Sequence, residues 1–190
     1  MSSKSAVEES LRRIKPEKRL AQLMPRDRSR LVFFGAINHS HPQFLLDTTA
    51  YIDEMQGRFP SASESVFRSQ VLWHSTVAEA EVAVLLGRLD PRHPDTPQAR
   101  SRLIALLEKL PSHRILNPDA RVWREAGILA GTLARLQHYG KSESRRVLND
   151  ALIYLSAAYN GLAVLTRNMM DFDFLLQLAP LGKVVFYDRV

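Results

Sequence analysis

The sequence predicts an α/β fold, a parallel sheet with helices on both faces, and three observations carry the prediction. From about residue 43 to the end, apolar runs of strand length alternate with longer runs of helical periodicity. Clear breakers separate many of them, among them DPRHPDTP and the Asn160–Gly161 pair. Two acids, Asp47 in FLLDTTAYID and Asp171 in VLTRNMMDF, follow strands and so fall on the carboxyl edge, where open parallel sheets bind ligands. With 190 residues and 45% hydrophobic content, the chain can hold one such domain and a modest extension.

The extension comes first. Residues 1–40 carry nine Lys or Arg against four acids, which is +5 of the chain's net +6. Val7, Leu11, Ile14, Leu20 and Leu23 partly follow helical spacing, which predicts a helix from about Ala6 to Leu23 interrupted at Pro16, in an extension over residues 1–40 that is partly helical or disordered. Such an arm fits contact with a polyanion, RNA above all, through Arg12, Arg13, Lys15, Lys18 and Arg19, or with an acidic partner. A merely solvated leader is the alternative.

The domain proper is expected over residues 41–190. Phe44–Leu46 reads as a strand ending at Asp47, and TTAYIDEMQG as a helix capped near Thr48. A helix around Ser63–Ser69 and a strand VLWHS follow, then the helix TVAEAEVAVLLGRL capped by Ser75 or Thr76. QARSRLIALLEKLP reads as a helix, HRIL as a strand, and Asn117–Asp119 opens the long helix ARVWREAGILAGTLARLQ, closed by Gly140. SRRVLNDALIYLSAAYNG is a helix stopped by Asn160 and Gly161, after which come the strand LAVLTRN, the helix DFDFLLQLA and the strand KVVFYD.

Composition narrows the chemistry. Without cysteine there are no disulfides, thiolate metal sites or cysteine nucleophiles. No apolar run reaches the roughly 18 residues of a membrane span and the N-terminus lacks a secretory signal, so a cytoplasmic protein with no membrane contact is expected. Dinucleotide, P-loop and Gly-x-Ser-x-Gly motifs are missing from the sequence. His39 and His41 have a spacing that could hold a transition metal, with a Pro-flanked loop as the simpler explanation, and His74 beside Trp73 reads as a packed strand residue.

Four acids remain: Asp47 at a strand end, Glu79 on a helix, Asp150 near a helix start and Asp171 after a strand. Hard divalent ions such as Mg²⁺ or Mn²⁺ take oxygen ligands, and a few carboxylates suffice when water and phosphate complete the shell. Each acid alone has a simpler explanation. Asp47 could cap the helix at Thr48, and Asp150 could favour a helix start through the macrodipole.

The ordered set LLDTTAYID, STVAEAEV, NDALI and VLTRNMMDF resembles the PIN domain family, and most closely its VapC-type toxins, over residues 43–188. That resemblance implies a three-layer α/β/α fold with a central five-stranded parallel sheet. It also implies a carboxylate cluster binding Mg²⁺ or Mn²⁺ to cut RNA, with Asp47, Glu79, Asp150 and Asp171 as ligands. Thr166 and Asn168 would orient carboxylates or water, or Thr166 would make only a structural bond; Asp173 would reach the site through water or lie on the surface.

Two departures stand out. The family has a bulky apolar residue after its helix Glu, whereas Glu79 is followed by Ala80 and then Glu81. Positions 79 and 81 point about 200° apart on a helix, so only one faces the site. Counting from Ser75 and Thr76 favours Glu79, with Glu81 turned to solvent or a partner chain. The second departure is the basic leader, which compact family members lack.

The reading is therefore a metal-dependent endoribonuclease, the toxin of a toxin–antitoxin pair, with a structured RNA as substrate and a small antitoxin as partner. A homodimer is expected from the resemblance and from the Ala-rich face of AGILAGTLARL, unless Ala126, Ala130 and Ala134 face the protein's own sheet. Alternatives are a non-catalytic PIN-like RNA-binding module and a receiver-type phosphoacceptor domain, whose acid pattern fits less well.

Overall fold

In the computed structural model, residues 5–37, 43–59 and 71–189 are described. The predicted helix at Ser63–Ser69 and the pair His39 and His41 fall outside them. Five strands form one parallel sheet: β1 (Phe44–Leu46), β2 (Leu72–Ser75), β3 (Ile115–Leu116), β4 (Ala163–Thr166) and β5 (Lys183–Phe186), in the order β3-β2-β1-β4-β5. The chain moves outward from β1 through β2 to β3, then crosses to the other side of β1 for β4 and β5. The order therefore reverses between β1 and β4, which makes their carboxyl ends the switch point where ligands of such sheets bind.

The helices are α1 (Ala6–Ile14), α2 (Thr48–Met55), α3 (Thr76–Arg88), α4 (Thr96–Glu108), α5 (Ala120–Gln137), α6 (Lys141–Tyr159) and α7 (Met169–Leu178). Central strands read as continuous apolar runs because both faces are covered: Leu45, Val164 and Leu165 are fully buried, as are Leu152 and Ile153 of α6. Burying each such side chain contributes roughly 1.5–3 kcal/mol. Starts are set by caps. Ser75 accepts from Val77 N at 3.2 Å and Asp119 from Val122 N at 2.8 Å.

Two boundaries differ from the sequence reading. Gly140 does not end α5, which closes on His138 in the left-handed region (φ 55°), but is the N-cap of α6. α6 thus begins at Lys141, and Asp150 lies some two and a half turns inside it, where no helix-end argument applies.

The leader departs most from expectation. Its described part is a strap packed on the body. α1 starts in a capping box, Ser5 accepting from Glu8 N at 3.3 Å and Glu8 accepting from Ser5 N at 3.1 Å, and stops at Lys15 in the left-handed region before Pro16. Ile14 and Phe34 join the core, Phe34 against the rings of Phe44 and Phe59. Arg13 meets the fully buried Glu125 at 2.5 Å and Arg26 meets Asp173 at 2.5 Å. Arg135 donates to the carbonyls of Pro16 and Arg19, and Phe33 bridges Phe186 in parallel, extending the sheet past β5. Ala126 and Ala130 lie in the protein's own core, so they offer no dimer surface.

Candidate metal centre

The register sets the geometry. Leu46 is paired with Leu165, so Asp47 and Thr166, the next residues on adjacent strands, meet at the switch point. Asp47 caps α2, accepting from Thr48 N at 2.8 Å, and its other oxygen accepts from Thr166 Oγ1 and Thr49 Oγ1, both at 2.7 Å. The capping explanation for Asp47 thus holds alongside its place in the cluster. Thr166 Oγ1 also accepts from Asn168 N at 2.9 Å, which ties the turn after β4 to Asp47.

Asn168 joins the next two acids. It caps α7, and its Nδ2 donates to Asp150 at 3.2 Å and to Asp171 at 3.0 Å. Asp171 also accepts from Tyr139 OH at 3.0 Å and lies 3.2 Å from the exposed guanidinium of Arg146. Asp150 is 4% exposed, and its carboxyl is held well above the usual carboxylate range by burial, then by the charges of Asp47, Asp171 and Glu81. Burial likewise raises Asp47, against the hydrogen bonds that pull it down. The Tyr139 phenol is pushed up to about 12 by burial and by Asp171.

On α3 the structure reverses the predicted choice of acid. Glu81 accepts from Thr48 Oγ1 and, at 2.8 Å, from Asn149 Nδ2, which places it beside Asp47 and Asp150. Glu79 lies on another side of the helix, near Tyr51, whose phenol is raised first by burial and then by the charge of Glu79. Counting turns from the cap misplaced the inward face, because the crossing of α3 over α2 and α6 decides it. One sequence signal pointed the other way: Val82 supplies the bulky apolar residue after Glu81 that is missing after Glu79.

Asp173 is a second correction. It is 1% exposed and belongs to the leader's anchorage, accepting from Arg26 N at 2.8 Å and Arg26 Nε, and from Gln177 at 2.9 Å. Sequence reasoning also missed the polar frame of the cluster: Thr48 and Thr49, Asn149, Tyr139 and Arg146. Arg146 stands four residues before Asp150, on the same helix face, a spacing that could have revealed it. Beside the cluster, Asp53 on α2 accepts from Arg167 Nε at 2.6 Å and Tyr187 OH at 3.0 Å. His74 is buried and bonded to Tyr51 OH at 2.6 Å, as a packed strand residue should be.

The donor set is hard and anionic, which is what Mg²⁺ or Mn²⁺ requires. Among the described residues no three acidic or imidazole groups converge into a preformed cage; Asp47, Glu81, Asp150 and Asp171 are spaced by Thr166 and Asn168. The fit lies in the chemistry of the donors and in the burial and crowding of acids around Asp150, which hold its carboxyl well above the usual range and which a bound cation would relieve.

A parallel sheet with acids gathered at its switch point defines an α/β domain with a candidate ligand site at the carboxyl edge of its sheet. Residues 44–173, well over half of the chain, match the PIN domain, and the protein belongs to that family. No curated protein sequence matches significantly. Among solved structures, the chain is similar to VapBC from Salmonella typhimurium, crystallised bound to DNA, with 18% identity and a TM-score of 0.53 over 75% of this chain and 96% of that one. VapBC2 from Rickettsia felis, bound to a DNA fragment from its promoter, has 16% identity and a TM-score of 0.52, over 77% and 99%. VapBC-5, a toxin–antitoxin family member from Mycobacterium tuberculosis, has 22% identity and a TM-score of 0.51, over 76% and 98%. At these identities the likeness is one of fold. The strap lies outside the family match.

Proposed function

We propose that the protein is a metal-dependent endoribonuclease and the toxin of a toxin–antitoxin pair, acting in the cytoplasm on a structured RNA. The observation that carries this reading is Asp150: an acid buried in mid-helix, crowded by three others, with a neutral amide as its hydrogen-bond donor. Stability alone does not favour such an arrangement, since unpaired buried charge is costly.

Asp47, Glu81, Asp150 and Asp171 would hold Mg²⁺ or Mn²⁺, which supplies Lewis acidity for phosphodiester hydrolysis when bound. Thr166 and Thr49 fix the Asp47 carboxylate, and Asn168 aligns Asp150 with Asp171. Asn149 and Thr48 do the same for Glu81. Tyr139 and Arg146, at the rim by Asp171, would meet an RNA phosphate.

The solved relatives are toxin–antitoxin complexes, which supports a small antitoxin as partner. A homodimer remains part of the proposal, through a face other than Ala126 and Ala130. The leader's RNA role narrows to Arg12, Lys15, Lys18 and Arg19, which have no acidic side-chain partner among the described residues, because Arg13 is paired with Glu125. Incubation of total RNA with Mn²⁺, with and without chelator, tests the reading: metal-dependent fragments are expected. Intact RNA under all divalent conditions would favour a non-catalytic RNA-binding module.

A further inference from the structure

The strap and the body enclose a cleft that the acid cluster does not use. It has a volume of about 690 Å³ and runs between the leader (Arg26, Arg30, Val32) and the starts of β4 and β5 at Gly161 and Lys183. It therefore opens toward the edge of the sheet opposite the acids. Leucines and valines, with Ile37, Ala163 and Phe186, make up just over half of the walls, and the size suits a drug-sized ligand.

Its charge is one-sided. Three cations line it, Arg26, Arg30 and Lys183, and among the described residues no acid does. Arg26 is neutralised by Asp173. Arg30 and Lys183 are exposed and have no acidic partner among the described residues, which leaves two unspent cations above an apolar trough. The floor is rigid. Tyr154, buried in α6, accepts from Leu181 N and Gly182 N at 3.2 and 3.1 Å, and a Cβ at Gly182 would stand 3.0 Å from Ala158 Cβ.

We propose that this cleft binds a small organic phosphate, a phosphate monoester on a planar or apolar body such as a nucleoside monophosphate. Arg30 and Lys183 take the dianion by charge-assisted hydrogen bonds, and the apolar walls take the base. One cation comes from the leader and the other from β5, so the ligand fastens the strap to the body. The leader wall of the site precedes the family match, which starts at residue 44.

The test uses the full-length protein in low salt with chelator present, which keeps phosphate off any metal bound to the acids. Adenosine monophosphate, adenosine and inorganic phosphate are each titrated by calorimetry, and amide exchange of residues 26–37 is followed. The monophosphate should bind saturably, at least tenfold more tightly than either fragment, and slow exchange in the strap. Arg30→Gln with Lys183→Gln should weaken binding at least tenfold, while Asp150→Asn should leave it unchanged. Absence of binding, equal affinity for adenosine or for phosphate alone, or an unaffected double variant would each overturn the proposal. These results are separate from RNA cleavage, so the nuclease reading stands or falls on its own.

Discussion

Carboxylates under the strap and carboxylates of the acid cluster are equally buried and differently partnered. Glu125 and Asp173 are each within 2.5 Å of an arginine from the leader, so their charge is compensated and the contact holds two segments together. Asp47 and Asp150, 2% and 4% exposed, take hydroxyl, amide and backbone N–H donors instead, and burial raises both. The difference separates structure from function. A paired buried acid fastens the fold, whereas unpaired acids kept together mark a place where something cationic is meant to bind.

The sharpest break in that comparison is Asp150→Asn. If the cluster is a metal centre, RNA cleavage falls by about 10³-fold or more, as loss of a ligand removes several kcal/mol of transition-state stabilisation. The melting temperature without divalent ions should hold or rise, since like-charge repulsion is relieved. A folded variant cutting RNA at the wild-type rate would end the assignment.

Under the strap the same kind of change should act on stability. Arg26→Ala leaves Asp173 buried with only backbone N–H and amide donors, at a cost of about 3 kcal/mol, or roughly 6–12 °C in melting temperature for a chain of this length. Cleavage per folded molecule should be unchanged. Thermal melts with a parallel activity assay check both, and an unchanged melting temperature would show the strap to be loosely held.

Between the two helix acids the comparison becomes a choice. Glu81→Gln should lower the cleavage rate about 10²-fold, and Glu79→Gln less than about threefold, because only Glu81 adjoins the cluster. The opposite ranking, measured at saturating Mn²⁺, would return the site to Glu79.

The smallest effect is on pH dependence. Burial, then Arg114, pushes His74 down to about 4, so between about 4 and 6.5 the unfolded chain binds a proton that the folded chain refuses. The stability involved is fully present above 6.5 and lost as pH falls toward 4. It is of the order of 1 kcal/mol after solvent screening. His74→Gln should flatten that part of the melting-temperature profile.

The sequence by itself determined the layered α/β architecture, the five strands and the long helix Ala120–Gln137, because apolar period and breakers are local signals. It also placed Asp47 at the end of β1 and Asp171 beyond β4, at the start of the following helix, since strand ends and the breakers after them can be read directly. Tertiary structure alone decided which glutamate faces inward: the helix period separates Glu79 from Glu81, but the crossing of α3 chooses between them. It likewise turned Asp173 from a site candidate into an anchor. The leader's arginines read as a polyanion-binding or solvated arm because their partners, Glu125 and Asp173, lie more than a hundred residues away, and ion pairs formed across that distance leave no pattern in the sequence.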